Sequence, residues 1–229
     1  AGAHLCAFEI MPARGLSFVL KHGSQSKAGQ AQSPLESEFP WYGLIELEAE
    51  REGVVQPLME MLLEEAFDKE LISDGVISNS EAQRKNLWAL REEMSEVQKP
   101  EGGSIKHDIS VRVADIPRFV EAANALVEHM IPGARPVPFG HFGDGNLHYN
   151  VSQPLGMDKE EFLSMWEILS DAVHDLVSEY GGSVSAEHGI GVMKRELLTR
   201  VKSKTELDLM RTVKRAIDPK GILNQGRVI

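Results

Sequence analysis

The sequence has a single cysteine, Cys6, in 229 residues. One thiol cannot form a disulfide within the chain, so a disulfide framework is excluded and a reducing compartment is favoured, the cytoplasm or, in a eukaryote, the mitochondrial matrix. We expect Cys6 to be a small buried hydrophobe on an early strand. Long apolar runs are also missing. No stretch approaches the roughly 20 residues of a membrane-spanning helix, so no span is predicted.

Positive charge is scarce. The chain has 24 Lys and Arg residues against 35 Asp and Glu residues, for a net charge of −11. A field of this sign repels phosphate backbones and anionic lipid surfaces, so nucleic acid is not an expected partner. An anionic substrate would therefore need a local cluster of basic side chains or a metal ion. Length and composition suit one continuous domain over residues 1–229, without repeats at solenoid spacing.

The first hundred residues show alternating strand, loop and helix signals. They predict strands at residues 5–11 and 41–47, helices from Pro57 onward and at 80–96, and loops at 23–34 and 99–103. The composition of the second loop, with Pro100 before Gly102 and Gly103, indicates a mobile segment.

The pattern becomes sharper from residue 106 onward. It predicts a strand at residues 106–113, a helix that begins at residue 115 and is capped by Asp115, and a hairpin about Asp144-Gly145. A long helix from residue 158 and a last short strand at 183–187 follow. This order is that of the ferredoxin-like split βαβ unit, so we predict an α+β fold whose antiparallel sheet carries helices mainly on one face. Two more helices form a C-terminal helical segment, residues 190–229.

Two histidines and a glutamate are expected on the open face of this sheet. A hairpin centred between Asp144 and Gly145 would place His141 directly opposite His148, with Cβ atoms about 4.5–5.5 Å apart. Alternation on the last strand puts Glu187 on the same side. In the usual ferredoxin-like order, however, the last strand is not next to the third, and two strand spacings are about 9–10 Å, so Glu187 must reach in from a strand end. A His, His and Glu set with open positions is typical of a catalytic metal site.

A cationic cluster is predicted beside these ligands. Lys106 shares the open face, and Arg91 and Ser95 lie four residues apart on one face of the preceding helix. Together they offer a guanidinium, an ammonium and a hydroxyl to a carboxylate. Each residue also has a simpler interpretation: paired histidines can be surface or packing residues, Arg91 and Lys106 can be solvated, and His188 can begin a helix.

Three segments resemble one known family. They are HFGDGNLHYN at 141–150, SAEHGIG at 185–191 and DPKGILNQGRVI at 218–229. These segments resemble the C-terminal domain of FAD-linked oxidases of the vanillyl-alcohol-oxidase type, in the branch of D-2-hydroxyglutarate and D-lactate dehydrogenases. Segments 88–92 and 106–110 extend the match to nearly the whole chain.

The resemblance implies a role for each candidate residue. His141, His148 and Glu187 would bind a divalent metal, with zinc the expected ion, and His188 would be the general base. Substrate binding would fall to Asn150 at the C1 end and to Arg91, Ser95 and Lys106 at a distal carboxylate. These contacts with a distal carboxylate favour D-2-hydroxyglutarate, or malate, over lactate or glycolate as the substrate. The segment at Asn224 would pack near the flavin ring.

Members of that family carry an FAD-binding domain before this region, and nothing in this sequence supplies one. We therefore expect the chain to act with an upstream FAD-binding domain and an electron acceptor such as an electron-transfer flavoprotein or a quinone, and to be inactive alone. A homodimer is left open. Two other functions stay in view, a metal-dependent hydrolase that uses the same ligands and a bound water, and a binding module without catalysis.

Overall fold

The computed structural model describes residues 2–23 and 32–229. The strands of this part of the chain are β1 (Leu5–Pro12), β2 (Trp41–Leu47), β3 (Ser104–Ser110), β4 (Arg135–His141) and β5 (Asn146–Ser152). They form one antiparallel sheet in the order β2-β1-β4-β5-β3. Most of the predicted 23–34 loop lies outside the described residues.

The same part of the chain contains eight α-helices. They are α1 (Ala13–His22), α2 (Val55–Asp68), α3 (Glu81–Glu92), α4 (Ile116–Met130), α5 (Lys159–Ser164), α6 (Trp166–Glu179), α7 (Arg195–Val201) and α8 (Lys204–Ile217). Short 3-10 turns at Glu93–Ser95, Lys99–Glu101 and Val113–Asp115 connect several of them. Among these described helices, none is both long enough and apolar enough to cross a bilayer.

One face of the sheet packs against α4 and α6. Leu147, Tyr149 and Val151 of β5 are fully buried there, together with Phe119 of α4 and Val173 of α6. The alternation of β5 therefore sends its odd-numbered residues into the main core and its even-numbered residues to the opposite face. The predicted α+β class with an antiparallel sheet is confirmed.

The opposite face is covered over only part of its area. A second core cluster joins Met11 of β1, Leu16 of α1, Leu90 of α3, Met94 and Phe139 of β4. This cluster covers the β1 and β4 side of the sheet, whereas His148 and Lys106 lie on the β5 and β3 side. The face that was expected to be open is thus open at one end only, and that end carries the candidate site.

The predicted strand at 183–187 is wrong. The segment forms a single bridge between Ser183 and Ser110, next to a Gly182 so close to β3 that a Cβ atom would stand 2.3 Å from the Ser110 carbonyl oxygen. Beyond that bridge, the backbone N–H groups of residues 186–188 donate to the Asp108 carboxylate. A ladder cannot continue because these donors are already used.

The predicted register of the β4–β5 hairpin is also wrong. His141 pairs with Asn146, and Phe139 pairs with His148, so four residues rather than two form the loop. Asp144 Oδ1 accepts the Asn146 N–H at 3.0 Å, which closes a local turn. Gly145 has φ of 83°, and its carbonyl accepts the Val111 N–H at 3.1 Å. The loop is therefore shaped by a contact with the chain that follows β3.

Three smaller predictions need correction. Cys6 is exposed, at an irregularity in the pairing of β1 with β2. Asp115 makes no side-chain cap to α4, because its carboxylate binds Arg112 and Arg118 at 2.6 and 2.5 Å. The 99–103 loop is anchored, since the buried Glu101 carboxylate binds Lys21, His22 and Arg135, each at 2.6 Å.

Two buried histidines make the fold sensitive to acid. The rings of His107 on β3 and His174 on α6 lie 5.5 Å apart, and the Nε2 atom of each lacks a partner among the described residues. Burial lowers the pKa of each imidazole to about 4. The histidines of an unfolded chain titrate near pH 6.5. The stability that the two neutral rings contribute is therefore fully present above pH 6.5 and is lost as the pH falls towards 4.

We expect each of these histidines to reduce the free energy of unfolding by about 2 kcal/mol between pH 7 and pH 5. Urea denaturation at the two pH values measures the loss. His174→Leu should remove roughly half of this contribution, whereas His129→Gln, at an exposed position on α4, should leave it unchanged. An identical pH dependence in His174→Leu and the original protein would contradict the assignment.

Candidate metal and substrate site

His141 and His148 lie on the same face at the adjoining ends of β4 and β5. Their ring centroids are 6.1 Å apart. Because His141 pairs with Asn146, the two histidines are diagonal neighbours rather than directly opposed. Diagonal side chains on one face of an antiparallel pair are still within reach of each other.

Glu187 completes the group from the segment that follows the Ser183 bridge. Its Oε1 atom lies 2.9 Å from His141 Nε2, and its Oε2 atom lies 3.7 Å from His148 Nε2. One ligand atom from each of the three residues lies within 4.8 Å of the others. A tetrahedral zinc ion with bonds of about 2.0–2.1 Å would separate its ligand atoms by about 3.3 Å, so the three residues fit such an ion.

The protonation of these side chains also favours a cation. A buried carboxylate, Glu9, accepts from His141 Nδ1 at 2.7 Å, so Nδ1 carries a proton. In the neutral ring the lone pair is on Nε2, 2.9 Å from a Glu187 oxygen, so a cation between these two acceptors would be bound by both. Burial, followed by the charge of Arg91, lowers the pKa of His148 and keeps that imidazole neutral. Neutral imidazole lone pairs beside a carboxylate are the donors that a divalent metal takes.

A second cluster of possible ligands is less suitable. Asp108, Glu187 and His188 also bring their ligand atoms within 4.8 Å of one another. The Asp108 carboxylate, however, is buried and already accepts the backbone N–H groups of residues 186–188 at distances of 2.8 to 3.2 Å. Its oxygens are thereby occupied as acceptors, which leaves His141, His148 and Glu187 as the better metal group.

His188 borders this group on its exposed side. Its ring lies 6.1 Å from the His148 ring, and its Nδ1 atom is 3.7 Å from Asp108 Oδ2. The side chain is 69% exposed, which makes it available to an incoming molecule. His188 does not begin a helix, because α7 starts at Arg195. The structure therefore places an exposed imidazole beside the three candidate ligands.

Arg91 and Lys106 of the predicted cationic cluster each bind a different partner within the chain. Helix α3 ends at Glu92, so Ser95 lies in a 3-10 turn and does not share a helix face with Arg91. Arg91 Nε donates to Glu9 at 2.8 Å, and its guanidinium lies 4.8 Å over the Phe139 ring. Lys106 Nζ donates instead to the Ser95 backbone carbonyl at 3.1 Å.

Asn150 and Asn224 differ in their positions. Asn150 is buried on the site face of β5, two residues beyond His148, and pairs across the sheet with Lys106. It therefore lies between the candidate metal ligands and the ammonium group. Asn224 is exposed in the C-terminal tail, with φ of 42°, and its carbonyl accepts the Arg227 N–H. The described contacts do not link Asn224 to the other candidates.

Sequence reasoning missed Glu9 and Asp108. Both are buried carboxylates, and each binds groups that are distant in the sequence, His141 for Glu9 and residues 186–188 for Asp108. A signal was present in the segment LCAFEIM, where a glutamate interrupts an otherwise apolar strand. A charged residue in such a strand is rarely buried unless it has partners.

The comparisons with known proteins decide the family. Residues 1–228 match the family model described as FAD linked oxidases, C-terminal domain. The chain belongs to this family. The match confirms the resemblance inferred from the three segments. The similarity to the FAD-linked oxidase C-terminal family extends over nearly the whole chain.

Relatives within the FAD-linked oxidase family are much longer than this chain. A D-2-hydroxyglutarate dehydrogenase from Stutzerimonas stutzeri (strain A1501) is 38% identical over 98% of this chain and 47% of its own length. A mitochondrial D-2-hydroxyglutarate dehydrogenase from Bos taurus is 35% identical over 100% of this chain and 39% of its own length. The chain thus spans less than half the length of these curated relatives.

A solved structure shares the fold. The 4-ethylphenol oxidase from Gulosibacter chungangensis, in an isoeugenol complex, superposes with a TM-score of 0.58 at 15% sequence identity. The superposition covers 96% of this chain and 47% of the oxidase. At this sequence identity the comparison shows a shared fold and no more.

Proposed function

We propose that this chain is the metal- and substrate-binding part of an FAD-dependent D-2-hydroxyacid dehydrogenase. D-2-Hydroxyglutarate is the preferred substrate, with D-malate and D-lactate as alternatives, and the product is the 2-oxo acid. The convergence of His141, His148 and Glu187 beside the exposed His188 carries the proposal. The dehydrogenases among the relatives support the substrate class.

Residues of this chain have separate roles in the proposed reaction. His188 accepts the proton of the substrate hydroxyl, for which its exposed ring is available. Asn150 contacts the C1 end, and Arg91 and Lys106, with Ser95, bind the distal carboxylate. A bound divalent ion, held by His141, His148 and Glu187, would polarise the substrate oxygens. FAD, bound mainly by a domain outside this sequence, would supply the hydride acceptor.

The preference for a dicarboxylate rests on charge. The substrate enters an acidic protein, so its second carboxylate needs compensation by nearby cations. Arg91 and Lys106 supply two on the site side of the sheet. A monocarboxylate such as D-lactate has no second carboxylate to offer them. We place the whole protein in the cytoplasm or the mitochondrial matrix, with an electron-transfer flavoprotein or a quinone as electron acceptor.

Zinc titration of the chain tests the metal site. We expect one zinc ion per chain by calorimetry, with affinity at least about 100-fold lower in His148→Ala, because ligand removal exceeds the 10- to 100-fold cost of changing an outer partner. His129→Ala, at an exposed site on α4, is the matched control. Equal affinity in the original protein and His148→Ala would contradict the site.

Turnover assays separate the proposed function from its alternatives. D-2-Hydroxyglutarate oxidation should occur in the protein that joins this chain to a flavin-binding domain, with FAD reduction followed by absorbance. Hydrolysis by the chain with zinc and without flavin would favour a metal-dependent hydrolase instead. The absence of both zinc binding and thermal stabilisation by D-2-hydroxyacids would favour a binding module.

A further inference from the structure

Glu9 is a buried carboxylate that joins two parts of the candidate site. It lies on β1 directly across from His141 on β4, and its side chain is only 3% exposed. One oxygen, Oε1, accepts from His141 Nδ1 at 2.7 Å. The other oxygen, Oε2, accepts from Arg91 Nε at 2.8 Å. Each oxygen of Glu9 thus has a different partner. Under the proposed function, one partner is a metal ligand and the other is a substrate-binding residue.

We propose that Glu9 is a positioning residue that couples metal binding at His141 to dicarboxylate recognition at Arg91. The proposal rests on the proposed function and extends it to a residue that need not touch either ligand. Glu9 acts through the two side chains that it holds. Loss of one of its oxygens is therefore expected to change both metal affinity and substrate discrimination.

The contact with His141 sets the tautomer of its ring. A carboxylate can only accept, so Nδ1 carries a proton, and in the neutral ring this leaves the lone pair on Nε2. Nε2 is the atom that lies 2.9 Å from Glu187 in the candidate metal group. A carboxylate behind a metal-bound imidazole also raises its basicity and fixes the orientation of the ring.

The contact with Arg91 sets the plane of the guanidinium. Glu9 binds Nε, and the Phe139 ring lies 4.8 Å beneath the guanidinium carbon. Two constraints on a planar group leave it little freedom to rotate. The Nη groups remain as the donors suited to the two oxygens of a carboxylate.

Charge gives a second reason for the coupling. Arg91 is buried, and its guanidinium lies 4.8 Å over the Phe139 ring, which in turn lies 5.2 Å from the His148 ring. A buried guanidinium without a counterion would also oppose a divalent ion held by His141 and His148. The negative charge of Glu9 offsets this repulsion, so Arg91 can stay near the metal group while it binds an anionic substrate.

Glu9→Gln separates this role from simple packing. Glutamine keeps the shape but has one acceptor oxygen and one NH₂ group, so it cannot accept from both partners. We expect zinc affinity to fall about 10- to 100-fold, the usual cost of changing a partner behind a metal ligand. In the metal-free protein, the ¹⁵N shifts of His141 should show a lower population of the Nδ1–H tautomer.

Substrate discrimination is the second measurement, in the protein that joins this chain to the flavin-binding domain and at saturating zinc. We expect the KM for D-2-hydroxyglutarate to increase about 10-fold in Glu9→Gln, with a smaller change for D-lactate, which lacks the distal carboxylate. Glu46→Gln is the matched control, because Glu46 also binds an arginine, Arg84, but no histidine. That variant should leave zinc affinity and both KM values unchanged.

The outcomes distinguish this proposal from the proposed function. If the original protein binds no zinc, the proposed function fails. If it binds zinc and Glu9→Gln retains the same affinity and His141 tautomer, the positioning role is overturned and the proposed function stands. Should Glu9→Gln not fold, Glu9→Asp carries the same test, since a side chain shorter by one methylene cannot span both partners. Unchanged zinc affinity and His141 ¹⁵N shifts in Glu9→Asp would overturn the role equally.

Discussion

Replacement of His188 by alanine is expected to lower kcat for D-2-hydroxyglutarate by about 100- to 10,000-fold, the usual contribution of a general base. The measurement requires the protein that joins this chain to its flavin-binding domain. His188 is 69% exposed, so its removal leaves no cavity and should not disturb the fold. FAD content and zinc affinity should therefore stay near those of the original protein.

The loss should be specific to the position of the imidazole. His129 is an exposed histidine on α4, so His129→Ala should retain full activity. Because His188 touches the reacting hydroxyl in this proposal, kcat should fall much more than KM rises. Retained turnover in His188→Ala, with FAD and zinc both bound, would remove His188 as the base.

The helices and central strands were predictable because burial imposes a period. The apolar residues of α4 recur at helical spacing, and Phe119, Val120, Ala123 and Val127 are buried as that spacing predicts. On β5 the alternation of Leu147, Tyr149 and Val151 marks the covered face. These signals are local, so a short window of sequence contains them.

The hairpin register could not be read in the same way. Its loop depends on Gly145, whose carbonyl binds the N–H of Val111, more than thirty residues earlier in the chain. The actual pairing differs from the predicted one by two residues. A shift by an even number leaves each side chain on its face, whereas a shift by one would have moved them all. His141 and His148 therefore remained together although their register was wrong.

The absence of the predicted strand at 183–187 has a related cause. Residues 183–187 alternate as a strand would, and Ser183 does form one bridge to β3. The buried carboxylate of Asp108 then takes the backbone donors that a ladder would need. Alternation cannot reveal this competition, because Asp108 precedes the segment by more than seventy residues. The same contact places Glu187 and His188 beside the histidines of β4 and β5.

Asp108→Asn is the second substitution with a large expected effect. Asparagine matches aspartate in size but has one acceptor oxygen and an NH₂ group, which would face the N–H donors of residues 186–188. Burial raises the pKa of the Asp108 carboxyl, but the hydrogen bonds from His188 and its neighbours outweigh burial and lower it overall. The anionic form is therefore the one that holds the segment.

We expect Asp108→Asn to weaken zinc binding and to lower kcat together, each by about 100-fold or more, because Glu187 and His188 are both positioned by this carboxylate. Calorimetry and turnover assays measure the two effects. Asp115→Asn is the matched control, since Asp115 is also buried and bound to two partners, Arg112 and Arg118, neither of which is a candidate site residue. The control should lose stability at most.

A combined variant shows whether Asp108 acts through His188. If Asp108 mainly positions that imidazole for proton transfer, Asp108→Asn at saturating zinc should lower kcat far less in a His188→Ala background than in the original protein. Its effect on zinc affinity should persist there, because Glu187 is still displaced. Independent, multiplicative losses in kcat would contradict the positioning role and would instead give Asp108 its own contact with the reacting groups.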